Sequence, residues 1–231
     1  MGIPDPLFVV HHHTTCPGVL GRWANHHFGG FSTLYAPTAD LPAPSTLTQP
    51  VVVFGGNMSS NDPSAWMARE LRWLEELVKR DHPIFAICLG AQMLARVLGE
   101  TVGPCPEGSL KCGYLPLQRQ CSRLPSHVYQ WHKEGFSGAG FDSAVVQHAR
   151  SEWNGGTCQA FSHGRSWGVQ FHPEVTHSRI EALLSQLAHD LAHPSVRPPS
   201  SHFSDHLVYG PSVRAWLYDV LKHQWGVCGD T

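Results

Sequence analysis

The chain has 231 residues, of which 42% are hydrophobic and 15% charged, and its formal net charge is −2. That length suffices for one well-buried domain with a small appendage. The near-neutral balance supplies no basic field for nucleic acid or an anionic membrane, and the apolar runs are far too short to span a bilayer.

Leu7–Val10 is a short apolar run and reads as the first strand of a parallel sheet. Pro17–Asn25 reads as a loop feeding a helix with Val19, Leu20 and Trp23 on its apolar face, and Ser32–Tyr35 as a second strand. Pro37–Pro50 holds four prolines and reads as a loop. Val51–Phe54 is a buried strand that ends in Gly55-Gly56-Asn57, where two glycines let the backbone approach a ligand. Asp62-Pro63 is expected to open a helix, with Asp62 as N-cap and Pro63 at the first position. Trp66, Met67, Leu71, Leu74, Leu77 and Val78 give that helix its core face.

Ile84–Ile87 is the next apolar run. It leads into Cys88, Leu89 and Gly90, and then into a helical pattern carried by Met93, Leu94, Val97 and Leu98, with Gly99 as its stop. Strand, sharp turn with a nucleophile, helix is the layout of a nucleophile elbow. The crowded turn needs small residues two positions either side of the nucleophile, here Ala86 and Gly90. A helix N-terminus under the sulfur favours thiolate, the reactive form.

Thr101–Leu124 is rich in Gly, Pro and Cys, with short antiparallel strands expected around Gly113–Leu117. His127–His132 alternates like a strand and ends in Trp131-His132. Ser143–Val146 is read as a short strand, and Cys158–Phe161 with Trp167–Phe171 as a hairpin turned at Ser162–Arg165. The second arm runs into His172-Pro173-Glu174. Strand side chains repeat every second position, so His172 and Glu174 can point the same way. Cys88, His172 and Glu174 together supply a nucleophile, a base and an orienter. Ile180–Leu191 reads as a helix, His193–His202 as a linker or surface loop, and the last thirty or so residues as an amphipathic helix. The domain organisation expected is residues 1–192 as one catalytic domain and 193–231 as linker plus helix.

Seven cysteines, an odd number with no Cys-x-x-Cys pair, fit reduced thiols in a cytoplasm better than a disulfide framework. Met1–Leu7 lacks the basic segment and long apolar core of a secretory signal. Seventeen histidines are read as scattered surface and loop positions, because no His/Cys spacing resembles a structural zinc site. No metal and no cofactor are expected.

Ala86-Ile87-Cys88-Leu89-Gly90-Ala91-Gln92, followed far downstream by Gln170-Phe171-His172-Pro173-Glu174, resembles the class I (triad) glutamine amidotransferases. Within them the chain is most similar to stand-alone proteins related to the amidotransferase domain of GMP synthase. The resemblance covers roughly residues 7 to 190, with one departure: the family usually has Gly where Ala86 stands. It implies an α/β, three-layer, flavodoxin-like fold with a mostly parallel sheet flanked by helices. It also implies that the Gly55-Gly56 loop gives the Gly56 N–H to an oxyanion hole, whose second donor, by elbow geometry, is the Leu89 N–H. Gln92, one helical turn after Cys88, would touch the substrate, with Gly55 beside it. In relatives, a segment like Trp131-His132 lines the glutamine pocket; Lys133 stands where many of them carry a small or polar residue.

The chemistry implied is cleavage of a γ-glutamyl amide through a thioester on Cys88. No synthetase domain fits within these residues, so ammonia would pass to a separate synthetase. The alternative is a stand-alone γ-glutamyl peptidase, and a second one is a non-catalytic binding protein. The expected ligand is glutamine or another γ-glutamyl compound. The sequence leaves a homo-oligomer and the role of the C-terminal helix open.

Overall fold

The computed structural model describes residues 4–105, 110–151, 156–186 and 196–227. Nine strands form one sheet in the order β2-β1-β3-β4-β11-β10-β9-β6-β7. The first five are parallel: β2 (Ser32–Tyr35), β1 (Leu7–Val10), β3 (Val51–Val53), β4 (Ile84–Ile87) and β11 (Ser166–Val169). The sheet then continues antiparallel through β10 (Cys158–His163), β9 (Val146–Ser151), β6 (Lys111–Arg119) and β7 (His127–His132). A separate two-stranded ladder joins β5 (Gly103–Pro104) to β8 (Glu134–Gly135).

Both faces of the parallel half are covered, which is why its strands read as continuous apolar runs. Alternate residues go to opposite faces. Phe8, Val10, Val52, Phe85 and Ile87 share one core with α1 (Gly18–Phe28), α4 (His177–Gln186) and α5 (Pro199–Trp225). Leu7, Val9, Val51, Val53, Ile84 and Ala86 share the other with α2 (Ala65–Lys79) and α3 (Leu89–Val97). The result is three layers, helices on sheet on helices. The proline-rich segment before β3 is pinned to α2: Trp73 Nε1 donates to Pro42 O at 2.8 Å, and Arg69 donates to Ala36 O and Ala39 O.

The expected helix over Pro17–Asn25, the strand over His127–His132 and the 158–171 hairpin are all present, within a few residues at their ends. Three readings need correction. Helix α2 begins at Ala65, with Ser64 at the N-cap position, and not at Pro63. Asp62 Oδ1 instead accepts the Ser64 N–H at 2.8 Å, a local side-chain turn that competes with helix initiation. The strand expected over Ser143–Val146 starts only at Val146, because Asp142 closes a turn: its Oδ1 accepts from Ala144 N and its carbonyl from Val145 N. Residues 199–202, read as linker, are the first turn of α5, where Pro199 costs nothing because its N–H would have no helical partner. The segment before it is held to β6: Arg197 N donates to Cys112 O at 3.0 Å. Residues 187–195, the end of the expected 180–191 helix and the start of the linker, lie outside the described residues. Helix α5 packs back on the sheet through Val213, Trp216, Leu217, Leu221 and Trp225.

One buried polar pair joins the sheet to α2. His11 Nε2 lies 3.0 and 3.2 Å from the two carboxyl oxygens of Glu70, and both side chains are fully buried. A Cβ added to Gly56 would come within 3.1 Å of His11 Cβ, so this pair backs the Gly55-Gly56 loop. Removing one partner strands the other's buried polar atom. Glu70→Ala is therefore expected to destabilise the fold by about 2–3 kcal/mol. A thermal melt followed by circular dichroism checks this, and an unchanged midpoint would contradict it.

Candidate active site

Strand β4 delivers Cys88 to the carboxyl edge of the parallel sheet, where α/β folds place their ligands. Cys88 N donates to Val169 O at 2.8 Å, which ties the thiol-bearing residue to the end of β11. Cys88 has φ +51° and ψ −108°, a conformation rare for a residue with a side chain. Together with Asp81 it is one of the two non-glycine residues with positive φ among the described residues. The chain can turn so sharply only because Gly90 has no side chain. A Cβ there would stand 2.3 Å from Val53 O, on the backbone of β3.

His172 follows β11, and its N–H donates to Tyr129 O at 2.8 Å, fixing it against β7. Its Nδ1 lies 2.8 Å from Glu174 Oε1, the geometry of an imidazole N–H donating to a carboxylate. Burial opposes charge on the ring. The Glu174 carboxylate, the neighbouring Cys88 sulfur and hydrogen bonds to both outweigh it, and hold His172 well above its ordinary value. The imidazolium is thus available at neutral pH. Gly55 brings the two ends of the arrangement together: a Cβ on it would lie 3.2 Å from His172 Cε1 and 3.3 Å from Cys88 Cβ.

Cys88, His172, Glu174, Gly55, Gly56, Gln92, Trp131 and His132 all line one cavity of about 760 Å³. Leu89, directly after the thiol, opens α3 and so has no helical acceptor for its N–H. Among the described residues neither Gly56 N nor Leu89 N donates a hydrogen bond. The two residues are neighbours, since a Cβ on Gly56 would stand 2.9 Å from Leu89 Cδ2. The loop after Gly56 is tethered, with Ser59 Oγ donating to both oxygens of Glu134 at 3.0 and 2.9 Å.

The remaining sequence-derived residues differ in what they offer a ligand. Gln92 is buried, and its amide nitrogen is already shared between Glu134 O at 3.1 Å and Gln170 Oε1 at 3.2 Å. The Trp131 carbonyl lies 3.7 Å from Cys88 Sγ. The His132 ring is buried with both nitrogens engaged, Nδ1 on Glu134 O at 2.9 Å and Nε2 on the Gln130 side chain at 3.2 Å. Burial, with the charges of His172 and Lys111 adding to it, pushes His132 down to about 3, so it is a neutral wall of the cavity.

Sequence reasoning missed two contributors. Gln170 is buried, and its amide nitrogen lies 3.7 Å from Cys88 Sγ. The period-2 rule that aligned His172 with Glu174 also puts Gln170 in phase with them. Val19 N donates to Glu174 O at 3.0 Å, and a Cβ on Gly18 (φ +55°) would stand 1.9 Å from that same oxygen. The first turn of α1 therefore sets the height of the carboxylate, which no local pattern could announce. Among the described residues no three His, Cys, Asp or Glu side chains are grouped to hold a metal ion, and no helix is long and apolar enough to cross a membrane.

A family model for glutamine amidotransferase class-I matches residues 33–190. The chain is 30% identical over 152 residues to a GMP synthase [glutamine-hydrolyzing] subunit of Ignicoccus hospitalis, covering 64% of this chain and 78% of that protein. It is 26% identical over 154 residues to GMP synthase [glutamine-hydrolyzing] of Bacillus cereus (strain AH820), covering 65% of this chain but only 29% of that protein. In three dimensions it matches a glutamine amidotransferase from Thermotoga maritima with a TM-score of 0.83 at 22% identity, over 97% of this chain and 99% of the other. A glutamine amido transferase from Methylobacillus Flagellatus matches with a TM-score of 0.82 at 23% identity, over 99% and 97%. These structural likenesses speak for the flavodoxin-like fold, and the family match, over more than half of the sequence, speaks for descent: the chain belongs to the glutamine amidotransferase class-I family and is an enzyme of that class.

Proposed function

We propose that the protein hydrolyses a γ-glutamyl amide through Cys88, His172 and Glu174, and hands the ammonia to a separate synthetase. The observation that carries this reading is the meeting of a strained Cys88 and a Glu174-bound, charge-stabilised His172 around one cavity. Cys88 thiolate attacks the side-chain carbonyl carbon of glutamine, and the carbonyl electrons move to oxygen. The N–H groups of Gly56 and Leu89, which have no acceptor among the described residues, hold that oxyanion. The His172 imidazolium gives its proton to the departing nitrogen, so ammonia leaves and a γ-glutamyl thioester remains on Cys88. His172, now neutral, takes a proton from water as the water attacks the thioester. Collapse releases glutamate and returns the thiolate–imidazolium pair. Glu174 accepts a hydrogen bond from the Nδ1–H throughout, which keeps Nε2 for the transfers. The Trp131 backbone, Gln92 and Gly55 line the space where the γ-glutamyl group would lie.

The separate synthetase rests on the relatives: the Ignicoccus protein is named as one part of a synthase, and the chain spans 29% of the Bacillus protein's length. A second reading, cleavage of γ-glutamyl peptides without a partner, is favoured by the cavity itself. Its volume of about 760 Å³ exceeds what one amino acid needs, and Arg179 on its wall could meet a second carboxylate.

The deciding assay measures ammonia and glutamate from glutamine beside amino-acid release from γ-glutamyl dipeptides, without ATP. Slow glutamine hydrolysis with intact peptides is the expected result for an amidotransferase that awaits its synthetase. Loss of one oxyanion donor alone slows such chemistry on the order of a hundredfold. Rapid peptide cleavage would establish the second reading. If neither bond is cut, even with a cell extract supplying partners, the protein is a non-catalytic binder and both enzymatic readings fail.

A further inference from the structure

A second cavity of about 410 Å³ adjoins the first, and Val175 lines both, so the segment after His172 is the wall between them. Its polar lining is of one sign. Arg22 from α1, His177 at the start of α4, and His206 and Arg214 from α5 face it, and no Asp or Glu does. Among the described residues neither guanidinium forms an ion pair. Burial lowers the His206 pKa, and the positive charges of His177, Arg214 and Arg22 lower it further, which marks the four groups as close neighbours. The guanidinium charges of Arg22 and Arg214 around one cavity destabilise the empty site, and an anion reverses the sign of that interaction.

Neutral donors complete the lining. Tyr114 OH lies 2.7 Å from His206 Nδ1 and fixes the ring, while Nε2 has no partner among the described residues. The hydroxyls of Thr176 and Ser178 are 3.1 Å apart. The N–H groups of His177 and Ser178, in the opening turn of α4, donate to nothing among the described residues. Guanidinium groups bind phosphate oxygens in pairs, and free N–H groups at a helix start add to them. A carboxylate has two oxygens to share among these donors, whereas a phosphate monoester has three. The volume exceeds that of phosphate alone, and Val19, Val175 and Val213 give the remainder an apolar floor.

We propose that this cavity binds a small phosphorylated anion, separately from the thiol site. The proposal does not depend on the reaction assigned to Cys88.

The test is calorimetric titration of the full chain with inorganic phosphate, against chloride at matched ionic strength. Saturable one-to-one binding is expected, weakened roughly tenfold by Arg22→Gln and again by Arg214→Gln. Both arginines are exposed, and a thermal melt checks that the variants stay folded. The pair Arg72→Gln and Arg80→Gln, also exposed and removing the same charge far from the cavity, should leave binding unchanged. Absence of saturable heat, or an equal loss in the control pair, would overturn the proposal. So would a Glu-rich hexapeptide that binds in an Arg22-dependent way while phosphate does not, since the cavity would then be a protein-docking site.

Discussion

Cys88→Ala and His172→Ala each remove turnover of a γ-glutamyl amide, by about a millionfold in kcat, and the double variant loses no more than either single one. In the proposed reaction nucleophile and base act as one unit, because His172 both partners the attacking sulfur and protonates the leaving nitrogen. Removing either leaves the other without a task. Glu174→Gln should be milder by tens-fold or so, since an amide oxygen can still accept from His172 Nδ1 and only the charge is lost. Substrate binding changes little in any of the three, so the loss appears in kcat and not in KM. Ammonia release under saturating substrate reads this directly. Additive losses, or Cys88→Ala activity equal to the parent's, would contradict the assigned roles.

Gly90→Ala is the second large effect, and it acts on the fold. The added methyl carbon would stand 2.3 Å from Val53 O and 2.9 Å from Val53 C. These are backbone atoms of β3, held between β1 and β4 in the parallel sheet, and they cannot move aside as a side-chain tip could. The elbow must back away from the sheet instead. We expect a loss of about 3 kcal/mol, a fall of roughly ten degrees in melting temperature for a chain of this size, and loss of activity as Cys88 leaves its position. Gly30→Ala, where a Cβ meets nothing within 4 Å, should leave the melt unchanged. Equal melting temperatures for Gly90→Ala and the parent would mean that the turn leaves room for a Cβ beside Val53 O, against the close approach seen there.

The same contrast between local and long-range causes explains what was legible in the sequence. The parallel strands announced themselves because both of their faces are buried, so four-residue apolar runs such as Leu7–Val10 and Ile84–Ile87 have little else to be. The elbow was legible because its chemistry needs a thiol, a small residue and a helix start in immediate succession. His172 and Glu174 followed from a two-residue period. Boundaries set by a side chain's choice of partner were not legible: Asp62 makes a turn with Ser64 where a helix cap was expected, and Asp142 delays β9. Pro199 looked like linker because proline is usually read as a stop, although at a first helical position it is favoured. Contacts across the chain were hidden as well. Nothing near Gly18 indicates that its neighbour holds the Glu174 carbonyl, and nothing in Trp131-His132 indicates that the histidine's nitrogens are spent on Glu134 and Gln130.

The proposed reaction passes through a covalent γ-glutamyl thioester at one sulfur. Acid quenching during turnover of a γ-glutamyl substrate, followed by peptide mapping with mass spectrometry, looks for it. The mapped adduct should sit on Cys88 alone and be absent from Cys88→Ala. Cys105 and Cys158 are natural internal controls, because burial pushes their thiols up to about 11 and about 12 and leaves them protonated at neutral pH. A γ-glutamyl group on Cys88 that vanishes once substrate is exhausted is the predicted result; sustained turnover with the group on another cysteine, or with none at any time, would contradict it.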